Sequence, residues 1–152
     1  MSWTLPMDGG CRCGAVRFRI DAAPMMSMAC HCTGCQRMSG SAFSLTVMVP
    51  TAGFRLTEGE TVRGGLREGA AHHQHCDACK SWVFTRVEPD MGFVNVRATM
   101  LDDTDWFEPF VESWTDEKLA WVTTPARHSF AQFPPMEAYQ PLMAEFAALH
   151  AT

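Results

Sequence analysis

The sequence has few charged residues and lacks an excess of positive charge. Only 19% of its 152 residues are charged, and 12 lysine and arginine residues face 17 aspartate and glutamate residues, so the formal net charge is −5. This balance provides no electrostatic basis for binding nucleic acid or an anionic membrane surface. Internal repeats, low-complexity tracts and blocks of like charge are also absent. The hydrophobic fraction of 47% excludes a disordered chain, and the low charge excludes a highly charged coiled coil.

Long apolar runs are missing as well. No uncharged apolar stretch reaches the roughly 18 residues that a membrane-spanning helix needs. Asp8 and Gly9-Gly10 come before any long apolar run, so we expect no secretory signal peptide and a cytoplasmic protein. The length fits one domain. We therefore predict a single domain over residues 1–152, with a core at about 9–135 and a C-terminal tail at 136–152.

Short segments with alternating apolar residues, separated by glycine, proline and aspartate, predict a mainly β fold. The predicted strands are Val16–Ile20, Phe43–Val49, Phe54–Leu56, Val62–Leu66, Trp82–Val87 and Phe93–Val96. Two stretches have a helical pattern instead. Thr33–Ser39 predicts a short helix after a cysteine cluster, and Pro141–Leu149 predicts a C-terminal helix with proline in its first turn.

Seven cysteines are many for a chain of this length. They form a C-x-C, a C-x-C-x-x-C and a C-x-x-C, at Cys11 and Cys13, at Cys30, Cys32 and Cys35, and at Cys76 and Cys79. In a reducing compartment, clustered cysteines hold metal more often than they form structural disulfides, and an odd number leaves one unpaired. Four thiolates close a structural zinc site, whereas three leave a position for water or substrate. Spacing alone leaves two divisions open, because the first cluster can share an ion with the third or with the second.

Further motifs surround the cysteines. They are Cys11–Val16, Cys30–Arg37 continuing into Ser39–Phe43, Leu101–Asp103 and Ala120–Val122. Together with the cysteines, these residues resemble the glutathione-dependent formaldehyde-activating enzyme family over about residues 9–135. The resemblance implies an Mss4-like β-tent of short antiparallel strands with zinc sites and a short C-terminal helix. It also implies that Cys11, Cys13, Cys76 and Cys79 hold a structural zinc, while Cys30, Cys32 and Cys35 hold a catalytic one.

The resemblance implies a zinc-dependent carbon–sulfur lyase. A zinc ion held by three thiolates can bind a substrate thiol and lower its pKa, so that the thiolate adds to an aldehyde. With glutathione and formaldehyde the product is S-hydroxymethylglutathione, and the reverse reaction breaks the carbon–sulfur bond. Two alternatives stay open: a non-catalytic zinc-stabilised binding module, in which the three-cysteine site gains a fourth protein ligand, and a thiol redox or metal-buffer protein.

Several histidines lie near the cysteines, and we expect none of them to bind metal. His31 lies between two cysteines and is expected to point to the opposite face, because side chains alternate along a strand. His72, His73 and His75 are expected in a polar strand or loop, since four thiolates already complete a zinc site. Three positions depart from the family pattern: Lys80 stands where glycine is usual, His75 stands where an aromatic residue is usual, and Glu112 falls where histidine is common.

Methionine and tryptophan are more simply explained as packing residues than as ligands. The methionines around the cysteines allow a copper hypothesis, but flexible core filling is the favoured interpretation for Met25, Met26, Met28, Met38 and Met48. The tryptophans are expected in the core or in a pocket wall, at Trp82, Trp106, Trp114 and Trp121. Arg37 either offsets the negative charge of a thiolate cluster or lies in solvent.

Overall fold

The computed structural model describes residues 2–151, which form eleven β-strands and two α-helices. The strands are β1 (Met7–Gly10), β2 (Arg17–Ile20), β3 (Met26–Cys30), β4 (Ser44–Pro50), β5 (Phe54–Glu58), β6 (Thr61–Gly64), β7 (Ala71–Cys76), β8 (Trp82–Val87), β9 (Phe93–Arg97), β10 (Val111–Ser113) and β11 (His128–Ser129). The helices are α1 (Thr33–Ser39) and α2 (Met136–Leu149). The chain is therefore mainly β with a short C-terminal helix, as predicted from the alternating segments.

One compact unit, unit 1, comprises the described residues up to Pro24 together with Met48–Trp106. It contains two antiparallel sheet regions, with strand orders β1-β2-β5 and β9-β8-β7-β6. Aromatic rings fill its core: Phe54 lies 5.5 Å from Phe18 and 4.8 Å from Phe84 between ring centroids. Gly9 pairs with Phe18 in the β1–β2 register, and a Cβ at Gly9 would lie 2.4 Å from the Phe18 ring. Glycine therefore lets the ring pack directly on the strand that leads to the first cysteine pair.

The second compact unit, unit 2, comprises Met25–Val47 and the described residues from Phe107 onward. β10 lies between β3 and β11 and pairs in parallel with both. The expected antiparallel arrangement is correct for unit 1 but wrong for β10. Parallel pairing needs a long connection rather than a tight turn, and long stretches of chain separate β10 from both partners. Helix α2 contacts β3 and buries Phe146, whose ring lies 5.5 Å from that of Phe110.

The two predicted helices have different outcomes. Helix α1 has the predicted bounds, with Cys32 as its N-cap and Gly40 at φ 61° as its C-cap. Helix α2 begins at Met136, with Pro135 as its N-cap, so the prediction that it starts at Pro141 was wrong. Its first turn is exposed at Met136 and Glu137 and carries no apolar face that periodicity could detect.

The prediction of one domain over residues 1–152 stays a prediction.

Two of the strands that the sequence did not predict, β3 and β7, lack valine, isoleucine, threonine, phenylalanine, tyrosine and tryptophan. Strand β3 has the sequence Met-Ser-Met-Ala-Cys and β7 has the sequence Ala-His-His-Gln-His-Cys. Their extended conformation comes from pairing with neighbouring strands rather than from intrinsic propensity. The histidine tract therefore lies in a polar strand, which is one of the two settings expected for it.

The packing residues are only partly in the core. Met26 and Met48 are buried, as are Trp82 and Trp106. Trp121 is 77% exposed in the turn from Leu119 to Val122, so of the two settings expected for it, the core position was wrong. Within residues 2–151, neither helix has the length and hydrophobicity to cross a membrane.

Candidate metal centres

The seven cysteines are free thiols that form two groups. The four-cysteine group consists of Cys11, Cys13, Cys76 and Cys79, and the three-cysteine group consists of Cys30, Cys32 and Cys35. Within each group all sulfur atoms lie within 4.8 Å of one another. The first C-x-C thus joins the distant C-x-x-C, and each group lies inside a single compact unit.

The four-cysteine group has the spacing of a tetrahedral site. Cys11 follows β1 directly, and Cys76 is the last residue of β7. The Cys13 sulfur lies 3.6 Å from that of Cys11 and 3.8 Å from that of Cys76. Four thiolates at about 2.3 Å from one zinc ion place their sulfurs roughly 3.8 Å apart. The sulfur positions therefore fit a single zinc ion.

The turn after Cys76 brings its C-x-x-C pair together. The Lys80 N–H donates to the Cys76 carbonyl at 2.9 Å, and Lys80 adopts φ 62°, the left-handed region that favours glycine. This explains physically why the position directly after such a pair suits glycine. The lysine is accommodated because its side chain points to solvent, where its ammonium lies 2.7 Å from the Asp77 carboxylate.

Both C-x-x-C pairs direct a backbone N–H at the first sulfur. The Cys35 N–H donates to the Cys32 sulfur at 3.3 Å, and the Cys79 N–H donates to the Cys76 sulfur at 3.5 Å. In the four-cysteine group the Ser81 hydroxyl also lies 3.2 Å from the Cys79 sulfur, and its hydrogen bond lowers the pKa of Cys79 to about 5. Donors of this kind stabilise thiolates, the form that binds metal.

The three-cysteine group is built where a strand passes into a helix. Cys30 ends β3, Cys32 is the extended N-cap of α1, and Cys35 lies in the first turn of that helix. All three side chains are half-buried. Among residues 2–151, no other histidine, cysteine, aspartate or glutamate joins this group. The chain therefore offers three thiol ligands at one place.

These three thiols cannot all ionise without positive charge between them. A hydrogen bond from the Cys35 thiol lowers the pKa of Cys30 to about 5, and the same bond raises the pKa of Cys35. Burial raises the pKa of Cys32. The Ser113 hydroxyl, on the strand that pairs with β3, further stabilises the Cys30 thiolate. Arg37 is exposed and forms no ion pair within residues 2–151. A divalent cation among the sulfurs would supply the missing charge, so the donor set fits zinc.

His31 follows β3 directly and lies outside both cysteine groups, as expected. It is completely buried, and its Nε2 lies 2.8 Å from Oε2 of Glu112. Sequence reasoning assigned no role to Glu112. The signal available in the sequence was a single carboxylate in the otherwise uncharged run Phe110–Trp114, where burial of an unpaired charge would be costly.

The histidines of β7 form a hydrogen-bonded network rather than a metal site. His73 Nδ1 lies 2.8 Å from the Thr85 hydroxyl, which also accepts a hydrogen bond from the Trp82 indole N–H at 3.0 Å. A hydroxyl has two acceptor lone pairs and one donor hydrogen, so it can accept from Trp82 and bond to His73 at the same time. Burial lowers the pKa of His73 to about 4, so the ring is neutral near neutral pH. Within residues 2–151, no group of three or more possible metal ligands includes these histidines.

The lowered pKa of His73 predicts a pH dependence of stability. The unfolded chain binds a proton with a pKa near 6.5, whereas folded His73 does so only near 4, so stability falls as the pH drops below 6.5. Between about pH 7 and pH 5.5, this residue is expected to cost the wild type about 1 kcal/mol. Urea denaturation of the wild type and His73→Gln at both pH values measures the difference. Equal pH dependence in the two proteins would contradict the assignment.

Two separate cysteine groups on a mainly β fold define a cysteine-rich protein whose clusters can hold metal ions. The profile of the glutathione-dependent formaldehyde-activating enzyme family matches residues 6–117, and the chain belongs to this family. A crystal structure of a Rhodobacter sphaeroides protein from a structural genomics programme is similar in fold, with a TM-score of 0.50. It is 20% identical in sequence, and the match covers 63% of this chain and 88% of that chain.

Proposed function

We propose that this protein is a zinc-dependent carbon–sulfur lyase that forms or cleaves a thiol–aldehyde adduct such as S-hydroxymethylglutathione. In this proposal the four-cysteine group holds a structural zinc, and Cys30, Cys32 and Cys35 hold the catalytic zinc. Membership of the formaldehyde-activating family supports glutathione and formaldehyde as the substrate classes. Seven free thiols suit a reducing compartment, which supports a cytoplasmic location.

The observation that carries the proposal is the difference between the two groups. One offers four sulfur ligands, and the other offers three half-buried sulfurs that no further candidate ligand joins within residues 2–151. Four thiolates saturate a tetrahedral ion, whereas three leave room for a substrate. The same difference argues against the binding-module alternative, which needs a fourth protein ligand at the three-cysteine group.

The reaction adds a thiol S–H across an aldehyde C=O. The S–H bond breaks, an S–C bond forms, and the proton passes to the carbonyl oxygen to give a hydroxyl; cleavage reverses these changes. Bound zinc would supply Lewis acidity that lowers the pKa of the substrate thiol. The chain contributes the fixed positions of its three sulfurs. Helix α1 holds Cys32 and Cys35 through the cap hydrogen bond, and β3 holds Cys30.

Metal analysis combined with an adduct assay tests this function. Freshly purified, unoxidised protein is expected to contain two zinc ions per chain. It is expected to speed the equilibration of glutathione with 13C-labelled formaldehyde, followed by NMR through the hydroxymethyl carbon. Two zinc ions with no acceleration, together with a cobalt spectrum of four sulfur ligands at both sites, would favour a binding module. Loss of zinc with reversible disulfide formation at Cys30, Cys32 and Cys35 would favour a redox protein.

A further inference from the structure

Glu112 is a buried carboxylate with an unusually complete set of hydrogen-bond donors. Its side chain is 8% exposed, and it receives donors from four side chains. Oε2 lies 2.8 Å from His31 Nε2, 2.8 Å from the Thr124 hydroxyl and 3.0 Å from the Lys118 ammonium. Oε1 lies 2.7 Å from the Ser129 hydroxyl and 3.2 Å from the same ammonium. Burial alone raises the pKa of Glu112, but these donors lower it to about 2, so the group is ionised near neutral pH.

The ionised carboxylate determines the orientation of His31. An ionised carboxylate can only accept hydrogen bonds. His31 Nε2 must therefore carry a hydrogen and donate a hydrogen bond to Glu112. The His31 ring also packs against Phe43 in a T-shaped arrangement, with 5.5 Å between ring centroids. The imidazole is completely buried, which leaves it no alternative orientation in solvent.

His31 is the single residue between two sulfur ligands of the three-cysteine group. Its N–H donates to the Ser113 carbonyl at 3.0 Å, and its carbonyl accepts from the Gln36 amide at 2.7 Å. Hydrogen bonds therefore hold the backbone N–H, the carbonyl and the side chain of His31. Because the peptide units of Cys30 and Cys32 adjoin this residue, a fixed His31 limits the movement of both sulfurs.

The segment after Glu112 holds the other side of the same loop. The Glu117 carboxylate accepts from the Thr33 N–H at 3.0 Å and from the Thr33 hydroxyl at 2.8 Å. The Gln36 amide also donates to the Glu117 carbonyl at 2.9 Å. Glu117 therefore secures the start of α1, while Glu112 secures the residue between the first two cysteines.

We propose that Glu112 is a positioning residue for the three-cysteine group, acting through His31 to hold Cys30 and Cys32 in a metal-binding arrangement. The inference rests on the proposed function, because it needs a metal ion at that group. Outer-shell partners of metal sites typically contribute about 10- to 100-fold in metal affinity or activity. Here Glu112 does not contact a ligand. It acts through His31, the residue between the ligands Cys30 and Cys32 in the sequence.

The Glu112→Gln variant tests this role. The amide keeps the size of the side chain but loses the negative charge, and because the Lys118 ammonium contacts both carboxylate oxygens, the NH2 group faces that ammonium in either orientation. Wild type and variant are loaded with Co²⁺ at both groups and titrated with a competing chelator while the cobalt–thiolate absorption is followed. We expect affinity at the three-cysteine group to fall about 10- to 100-fold, with altered cobalt bands. The four-cysteine group in the same sample is expected to be unchanged and reports that the protein is folded.

Glu145→Gln is the matched control. It changes the same residue type in another carboxylate–histidine pair of unit 2, since Glu145 Oε2 lies 2.9 Å from His128 Nε2. Both cobalt sites are expected to keep wild-type affinity in this control. A Glu112→Gln variant that keeps its three-cysteine affinity within about twofold, well below the outer-shell range, would overturn the proposal.

The His31→Phe variant tests whether the effect passes through His31. It keeps an aromatic ring but removes the donor to Glu112, so it is expected to show the same loss of affinity. The double variant is expected to lose no more than either single variant, because both changes break one link. Additive losses would overturn the route through His31, and His31→Phe still tests this link if Glu112→Gln does not fold. A wild type that binds one cobalt ion only would instead overturn the proposed function, and this inference with it.

Discussion

Cys76→Ser is expected to unfold the protein. Cys76 is 1% exposed at the end of β7, where it helps join a strand to the segment after β1. A structural zinc contributes on the order of 10–16 kcal/mol in small zinc modules. That is comparable to the whole net stability of a typical domain, about 5–15 kcal/mol. Serine is a much weaker zinc ligand than a thiolate, so the variant loses this stabilisation while leaving a buried hydroxyl.

Circular dichroism and thermal unfolding measure this effect, with zinc content determined on the same samples. The expected outcome is a lost or strongly lowered transition together with loss of zinc. Cys32→Ser is the matched control, because it makes the same chemical change in the other group. Equal thermal stability of the two variants would show that the four-cysteine group has no special structural role.

Cys32→Ser is expected to abolish adduct formation while the fold persists. Cys32 is the N-cap of α1, and its sulfur accepts the Cys35 N–H. Serine is among the preferred N-cap residues and can accept the same bond, so helix α1 is expected to remain. The three-cysteine group, however, loses one of its three ligands. The loss of activity is expected to exceed the roughly 10- to 100-fold produced by losing an outer-shell partner.

The NMR assay with labelled formaldehyde measures the activity of this variant, and metal analysis follows its stoichiometry. We expect one zinc ion per chain instead of two, with a thermal transition close to that of the wild type. Wild-type activity in Cys32→Ser would remove the three-cysteine group from the reaction. Retention of both ions would show that the remaining ligands suffice.

Local sequence predicted the features that depend on neighbouring residues. Helix α1 has its predicted bounds because its cap residues, Cys32 and Gly40, adjoin it in the chain. The alternating segments at Arg17–Ile20 and Trp82–Val87 are strands, as predicted. Prediction failed at β3 and β7, whose composition does not favour strands and whose conformation comes from pairing.

The candidate metal centres also combine features that local sequence predicts with contacts that it does not. Each C-x-x-C pair shares an N–H···S hydrogen bond over three residues, a geometry that spacing alone makes accessible. Spacing could not predict which cluster the first C-x-C joins, because Cys13 and Cys76 are 63 residues apart in the chain. The same holds for His31 and Glu112, which are 81 residues apart and meet because β10 pairs in parallel with β3.

The sequence by itself determined the chemistry available to this protein: seven thiols in three short motifs, a mainly β chain and a resemblance that family membership bears out. Spacing left the division of the thiols open, and the tertiary structure shows that they meet in the two groups that the resemblance implies. It alone shows which buried carboxylate contacts the residue between Cys30 and Cys32. The physical reason is that ligand spacing within a turn is set by a few backbone dihedral angles, which local sequence encodes. Contacts between distant strands are set by pairing register and by the burial of side chains that alternate along them.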